Sequence, residues 1–211
     1  MRGRMVLRTI RLGDWDPALP QAIVLALVFL GGALGGHLYA AGCGEETWAA
    51  LGQYLKDYCR LYDTGGLEAS MASCVVMYFG YASLAFLLGF SAAGVALIPV
   101  LSGAFGFFTM YTVSCFVRCF GRAGAVLALG ALIVRLVFTL PCFLVLAGAA
   151  WPLSMELFSL SFGGGKRSSP VLYGSRYFLL FVLCAAILVL GVFCERLLTP
   201  LLFRAALGML D

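Results

Sequence analysis

The chain has 211 residues, of which 63% are hydrophobic and 11% charged, with a formal net charge of +4 and a mean hydropathy of +1.01. Ordinary soluble domains carry roughly 25% charged residues, so a soluble globular protein is excluded. The charge is too small, and too confined to the ends of apolar runs, to indicate nucleic acid; it reads as topology information for one integral membrane domain over residues 1–211.

Residues 1–19 hold Arg2, Arg4, Arg8 and Arg11 against Asp14 and Asp16, and an apolar run follows from Gln21 to Ala41. A basic segment before an apolar run also describes a signal peptide, and Tyr39-Ala40-Ala41 is passable as a cleavage site. A run of this length suits a retained span better than a short signal-peptide core. We therefore expect a first transmembrane helix over 21–41 with a cytoplasmic amino end. Gly31-Gly32 and Gly35-Gly36 suit close packing against another helix. His37 is the only histidine, and interfacial hydrogen bonding is its expected role rather than catalysis or proton relay.

The loop 42–68 carries Glu45, Glu46, Asp57, Asp63 and Glu68 against Lys56 and Arg60, which suits the non-cytoplasmic side. Within it Trp48, Leu51, Leu55, Tyr58 and Tyr62 recur at helical spacing, and Gly65-Gly66 supplies a stop. The segment reads as a short amphipathic extracytoplasmic helix, lying on the membrane or the bundle, or docking a partner.

From Ala69 to Val117 there are 49 residues without Asp, Glu, Lys, Arg or His. As one helix this stretch would be roughly 70 Å long, more than twice a hydrocarbon core of about 30 Å. It must fold back, and the spacing predicts a tight glycine-rich intramembrane hairpin of spans 72–90 and 95–117. Gly89, Gly94, Pro99, Gly103 and Gly106 mark the turn and the close contacts around it. Ser102 and Gly106 form a small-xxx-small pair. The elbow has to be shielded by neighbouring helices or lie at the interface, because lipid satisfies no backbone group. These glycines read first as packing residues; a break at Gly94–Gly103 would alternatively make a substrate site of the broken-helix kind.

Arg118 and Arg122 mark the next interface, and 123–150 is the fourth expected span, with Pro141 and a single charge at Arg135. An intramembrane arginine costs about 3 kcal/mol or more on insertion scales, so Arg135 is expected to face protein, near the hairpin break. No acid lies in an expected span to pair with it, which leaves backbone carbonyls or snorkelling. The basic loop 156–176 contains Gly163-Gly164-Gly165-Lys166-Arg167, which lacks the Walker spacing of a phosphate-binding loop. A fifth span follows over 177–194, then an amphipathic tail from Glu195. Counted over this topology, Lys and Arg number seven inside and six outside.

Eight cysteines are present, mostly in apolar runs, where Cys behaves as a small hydrophobe. Only Cys43 and Cys59 share a solvated loop. No carboxylate pair, nucleophile–base set or ligand cluster stands in a solvated region, so no catalytic residue, cofactor or metal is expected. The fold class is all-α: a polytopic helical bundle of about five spans.

Leu87-Leu88-Gly89-Phe90-Ser91 through Gly94, Ile98-Pro99, Ser102-Gly103 and Gly106-Phe107, followed by Leu140-Pro141 and Ala147-Gly148-Ala149-Ala150, resembles the stage II sporulation protein M family. Where that family often has Lys-Gly after the proline, this chain has Ser102-Gly103. The resemblance implies a non-enzymatic scaffold of the bacterial cell membrane. Such a scaffold recruits or localises peptidoglycan hydrolases during engulfment of the forespore. On that expectation the partner-docking residues are Trp48, Leu51, Leu55, Tyr58 and Tyr62, and the partners are the lipid bilayer and the hydrolases. A small transporter or channel, with a broken-helix site near Arg135, is the alternative from another class.

Overall fold

The computed structural model describes residues 18–44, 48, 53, 71–128, 132, 134–161 and 175–207. These residues form α1 (Ala18–Gly42), α2 (Met71–Leu88), α3 (Gly94–Ala128), α4 (Val134–Ser161) and α5 (Ser175–Leu207), with no strand among them. The protein is an all-α, membrane-embedded bundle. Its outer surface is apolar: Leu27, Leu34, Leu38, Val76, Leu179 and Leu190 all point outward and are exposed. Such an exterior requires a hydrocarbon surround.

Contacts between helices fix their directions. In α1 and α3 the pairs Leu25–Ser102 and Ala40–Arg118 advance together, so these helices run parallel. Met77–Arg135 and Tyr81–Phe143 make α2 and α4 parallel as well. Arg135–Glu195 and Cys142–Cys184 run in opposite senses, so α5 is antiparallel to α4. The five helices thus alternate in direction along the chain. At one end of the bundle lie the start of α1, the α2–α3 turn, the end of α4 and the start of α5. The other end holds the close of α1 and α5 and the start of α2 and α4.

Four helices are long and apolar enough to cross a membrane, over Pro20–Gly42, Gly94–Cys119, Arg135–Ser161 and Tyr177–Leu197. The second expected crossing, 72–90, corresponds to α2, which is the short one. It has 18 residues, about 27 Å of helix, and its apolar stretch among the described residues is Val75–Leu88. The expected fourth span, 123–150, is corrected. Helix α3 continues past Arg118 and Arg122 to Ala128, bending at Gly121 (φ 57°), and α4 starts only at Val134 and runs to Ser161. A continuous apolar sequence gives no boundary there. The backbone change comes instead from the one described glycine at positive φ, a region open to glycine because it has no Cβ.

Helices α3 and α4 each touch all four others. Toward the turn end, Leu25, Ala85, Ile98, Phe105, Phe143, Ala147 and Ala150 form a core fed by α1 to α4, which Tyr177 of α5 joins. Tyr81 stacks on Phe105 at 4.4 Å between ring centres, and Phe143 and Phe29 meet the same ring edge-on. A second core of Tyr78, Ala82, Cys142, Leu146, Cys184, Leu188 and Val192 joins α2, α4 and α5. Helix α1 leans on α3 so closely that a Cβ at Gly32 would collide with the Gly103 carbonyl. One at Gly36 would collide with the Phe107 carbonyl, and one at Gly106 with that of Phe29. Small residues permit this approach, and dispersion between the two backbones then holds the pair. Gly31 and Gly35 are not part of the seam: a Cβ at Gly31 would meet nothing, and one at Gly35 only the edge of Phe107.

Candidate functional site

Two polar clusters sit at opposite ends of the bundle. The first is the α2–α3 turn. Helix α2 stops at Leu88, and Gly89 to Ala93 reverse the chain, with Ser91 Oγ accepting a hydrogen bond from the Ala93 amide at 3.2 Å. The helix ends here are satisfied by side chains from the neighbours. Tyr177 donates its hydroxyl to the Phe86 carbonyl at 2.8 Å, and Ser154 donates to the Ser91 carbonyl at 2.6 Å. Trp151 donates its indole N–H to the Val95 carbonyl at 3.1 Å. That last contact follows from the sequence: Pro99 has no N–H, so the carbonyl four residues earlier, at Val95, loses its helical partner. Gly89 and Gly94 are required by crowding. A Cβ at Gly89 would strike the Tyr177 hydroxyl, and one at Gly94 the Leu88 carbonyl and Ser154 Oγ. The elbow is shielded by α4 and α5, as lipid demands.

The broken-helix reading of Gly94–Gly103 is overturned. That stretch is continuous helix in α3, with Pro99 inside it and Gly103 and Gly106 against α1. Pro99 is tolerated because only one intrahelical bond is lost and Trp151 replaces it. Ser102 is fully buried and donates to the Leu25 carbonyl of α1 at 2.8 Å. Pro141 lies inside α4 with its ring on the exposed side, and the helix passes through it.

The second cluster surrounds Arg135, where the structure corrects three expectations. Arg135 is the second residue of α4 and not twelve residues into a span. It has an acid partner: its guanidinium meets Glu195 of α5 at 2.7 Å. It is also remote from the hairpin break, since Ser154, which touches the turn, lies 19 residues further along α4, about 28 Å away at 1.5 Å per residue. The guanidinium further contacts Met77 Sδ at 3.2 Å and lies 5.6 Å from the centre of the Tyr78 ring. Tyr78 in turn donates to the Gly191 carbonyl at 3.2 Å. The cluster therefore fastens α2, α4 and α5 together. Glu195 Oε2, Arg135 Nε and Thr139 Oγ1, one turn along α4, are buried without a partner. The sequence puts Glu195 beyond the last expected span because Cys194 is the last residue of its uncharged run, whereas helix α5 runs on past it.

Of the candidate docking residues, Trp48 is described and the other four, Leu51, Leu55, Tyr58 and Tyr62, lie outside the described residues. Trp48 is half-buried and tied back. Its indole donates to the Cys43 carbonyl at 3.0 Å, and the Arg118 guanidinium lies 5.0 Å from its ring centre. Arg118 also donates to the Ala40 carbonyl at 3.0 Å, satisfying the end of α1. His37 and Ser114 hydrogen-bond at 3.1 Å, the interfacial contact expected of this histidine. A Cys43–Cys59 pairing falls outside the described residues at Cys59. Among the described residues no three His, Cys, Asp or Glu side chains converge to hold a metal ion.

Sequence reasoning missed the Trp151, Ser154 and Tyr177 ties at the turn. The available signal was Pro99, which announces an orphan carbonyl at Val95. Comparison with described protein families, with curated proteins and with solved structures gave no match to this chain.

Proposed function

We propose that this chain is a non-enzymatic scaffold of the bacterial cytoplasmic membrane. Its amino terminus is cytoplasmic, and in the manner of the stage II sporulation protein M family it recruits or localises peptidoglycan hydrolases during forespore engulfment. The supporting observation is how the polar side chains of the spans are used. Tyr78, Ser102, Trp151, Ser154, Tyr177 and the Arg135–Glu195 pair each join one helix to another or to the α2–α3 turn. Thr109 and Thr112 donate to carbonyls of their own helix. Apart from Arg135 Nε, Thr139 Oγ1 and Glu195 Oε2 in the end cluster, polar groups consumed in this way make a stiff platform and leave little to replace the hydration shell of a solute. The transporter alternative needs Arg135 beside a broken helix, but Gly94–Gly103 is continuous helix, and the chain reversal before it meets α4 at Ser154, about 28 Å along α4 from Arg135.

Docking then falls to the 42–68 segment, through Leu51, Leu55, Tyr58 and Tyr62, with Trp48 anchoring its start. Tyrosines beside charged positions are where binding energy concentrates. The test is co-purification of membrane-associated hydrolases with the wild type and with a Leu55→Ala, Tyr58→Ala double variant, alongside a liposome flux assay. Loss of the hydrolase from the variant, with the chain still in the membrane, is expected. Reproducible solute flux by the wild type, with no hydrolase bound, defeats the scaffold reading.

A further inference from the structure

A groove of about 390 Å³ opens between α1 and α3 at the end of the bundle where α1 finishes. His37, Ser114 and Arg118 supply its polar groups, and Met110, Val113 and Val117 its apolar wall. Its level is set by the spans: α1 and α3 end their apolar stretches at Gly42 and Cys119. The polar trio therefore stands within the last turn or so of two membrane-crossing helices, where headgroups begin.

The charge there is uncompensated among the described residues. Among the described residues the ion pair is Arg135 with Glu195, and Arg118 meets no carboxylate. One of its terminal nitrogens serves the Ala40 and Ala41 carbonyls, and its face covers Trp48. A guanidinium carries five N–H donors in a planar fork, so donors remain after the carbonyls are satisfied. Beside it, Ser114 and His37 are exposed enough to reach the same ligand. A guanidinium with donors to spare favours a headgroup of net negative charge.

We propose that this groove binds an anionic phospholipid, its phosphodiester held by Arg118, Ser114 and His37 and an acyl chain lying on Met110, Val113 and Val117. A phosphate on a guanidinium forms charge-assisted hydrogen bonds, about twice as strong as neutral ones, and the low dielectric at the membrane edge strengthens them further. The apolar wall adds dispersion along the chain. The proposal needs only the membrane-embedded bundle and stands apart from the scaffold reading.

The test uses the full chain in detergent, titrated with phosphatidylglycerol or phosphatidylcholine and read by native mass spectrometry. The wild type is expected to retain phosphatidylglycerol in preference. Arg118→Gln is expected to weaken retention roughly tenfold, equivalent to about 1.4 kcal/mol, and Arg118→Lys to recover part of it. Arg118 also caps α1, so a second variant, Val113→Trp, fills the groove without touching a charge and is expected to lose the lipid equally. Arg196→Gln, a charge change on α5 at the same end, is expected to leave retention unchanged. Equal retention of phosphatidylcholine, full retention by Val113→Trp, or displacement of the lipid by inorganic phosphate would each overturn the proposal.

Discussion

Removing one partner of the Arg135–Glu195 pair is expected to be the most damaging single change in the end cluster. The pair is short, 2.7 Å, and its side chains are 26% and 12% exposed. Stripping a fully buried pair of one member costs about 3–5 kcal/mol, because the other charge is left desolvated. Exposed pairs are worth about 0.2–1 kcal/mol. With water reaching about a quarter of the arginine, we expect Arg135→Leu and Glu195→Leu each to cost about 2–3 kcal/mol. The double variant removes both charges, so it should fall short of the sum by about 1–2 kcal/mol, the coupling range of contacting residues. Arg135→Lys keeps a charge but loses the planar contact with Tyr78 and the reach to Met77, and should cost about 1 kcal/mol. Equilibrium unfolding in mixed micelles, followed by tryptophan fluorescence, measures all four. Single variants within about 0.5 kcal/mol of the wild type, the usual range for neutral surface changes, would refute the reasoning, as would strict additivity.

Further outcomes follow from the packing and the helix directions. Gly106→Ala drives a methyl into the Phe29 carbonyl and should destabilise by about 1–3 kcal/mol in the same unfolding assay. Gly31→Ala points into open space and should be neutral or gain up to about 1 kcal/mol. Trp151→Phe orphans the Val95 carbonyl and should cost about 1–3 kcal/mol, whereas Tyr177→Phe should cost only about 0.5–1.5, because the Phe86 carbonyl keeps the Gly89 amide. In a background otherwise free of cysteine, Cys43 and a cysteine replacing Leu197 should label from one side of the membrane with an impermeant maleimide. A cysteine replacing Ala93 should label from the other side, and a shared side for all three would contradict the alternating helix directions.

The sequence disclosed what depends on composition and local chemistry. Helix α1 was expected over 21–41 and spans Ala18–Gly42, because an apolar run bounded by charge and glycine marks its own ends. The reversal at Gly89–Gly94 was legible because 49 uncharged residues cannot be one helix in a bilayer. The glycine face of α1 was legible as a packing face, yet its partner was not. Gly32 and Gly36 state that a backbone comes close without stating whose. The Arg135–Glu195 pair was hidden because its members are 60 residues apart and because a span was assumed to end where charge begins. The α3–α4 boundary was hidden for the opposite reason: the sequence from Ala123 to Val134 is apolar throughout, so hydropathy carries no mark where one helix gives way to the next. Pro99 falls inside the expected span 95–117, as it does in α3, but nothing local in the sequence says that the Trp151 indole takes the carbonyl it orphans.

The parallel seam between α1 and α3 bears on how the chain is assembled during synthesis. The hydrogen bond from Ser102 to the Leu25 carbonyl joins residues 77 positions apart. At a ribosomal rate of about 5–20 residues per second, Leu25 reaches the membrane roughly 4–15 seconds ahead of its partner residue. Helix α2 emerges in that interval and does not fill the seat, since the carbonyls that crowd Gly32 and Gly36 belong to α3. During those seconds α1 must persist as a lone helix in lipid with its glycine face unoccupied. The bare glycine face that makes the finished contact so close therefore also leaves the nascent chain, for those seconds, open to capture by any passing helix with a matching small-residue face.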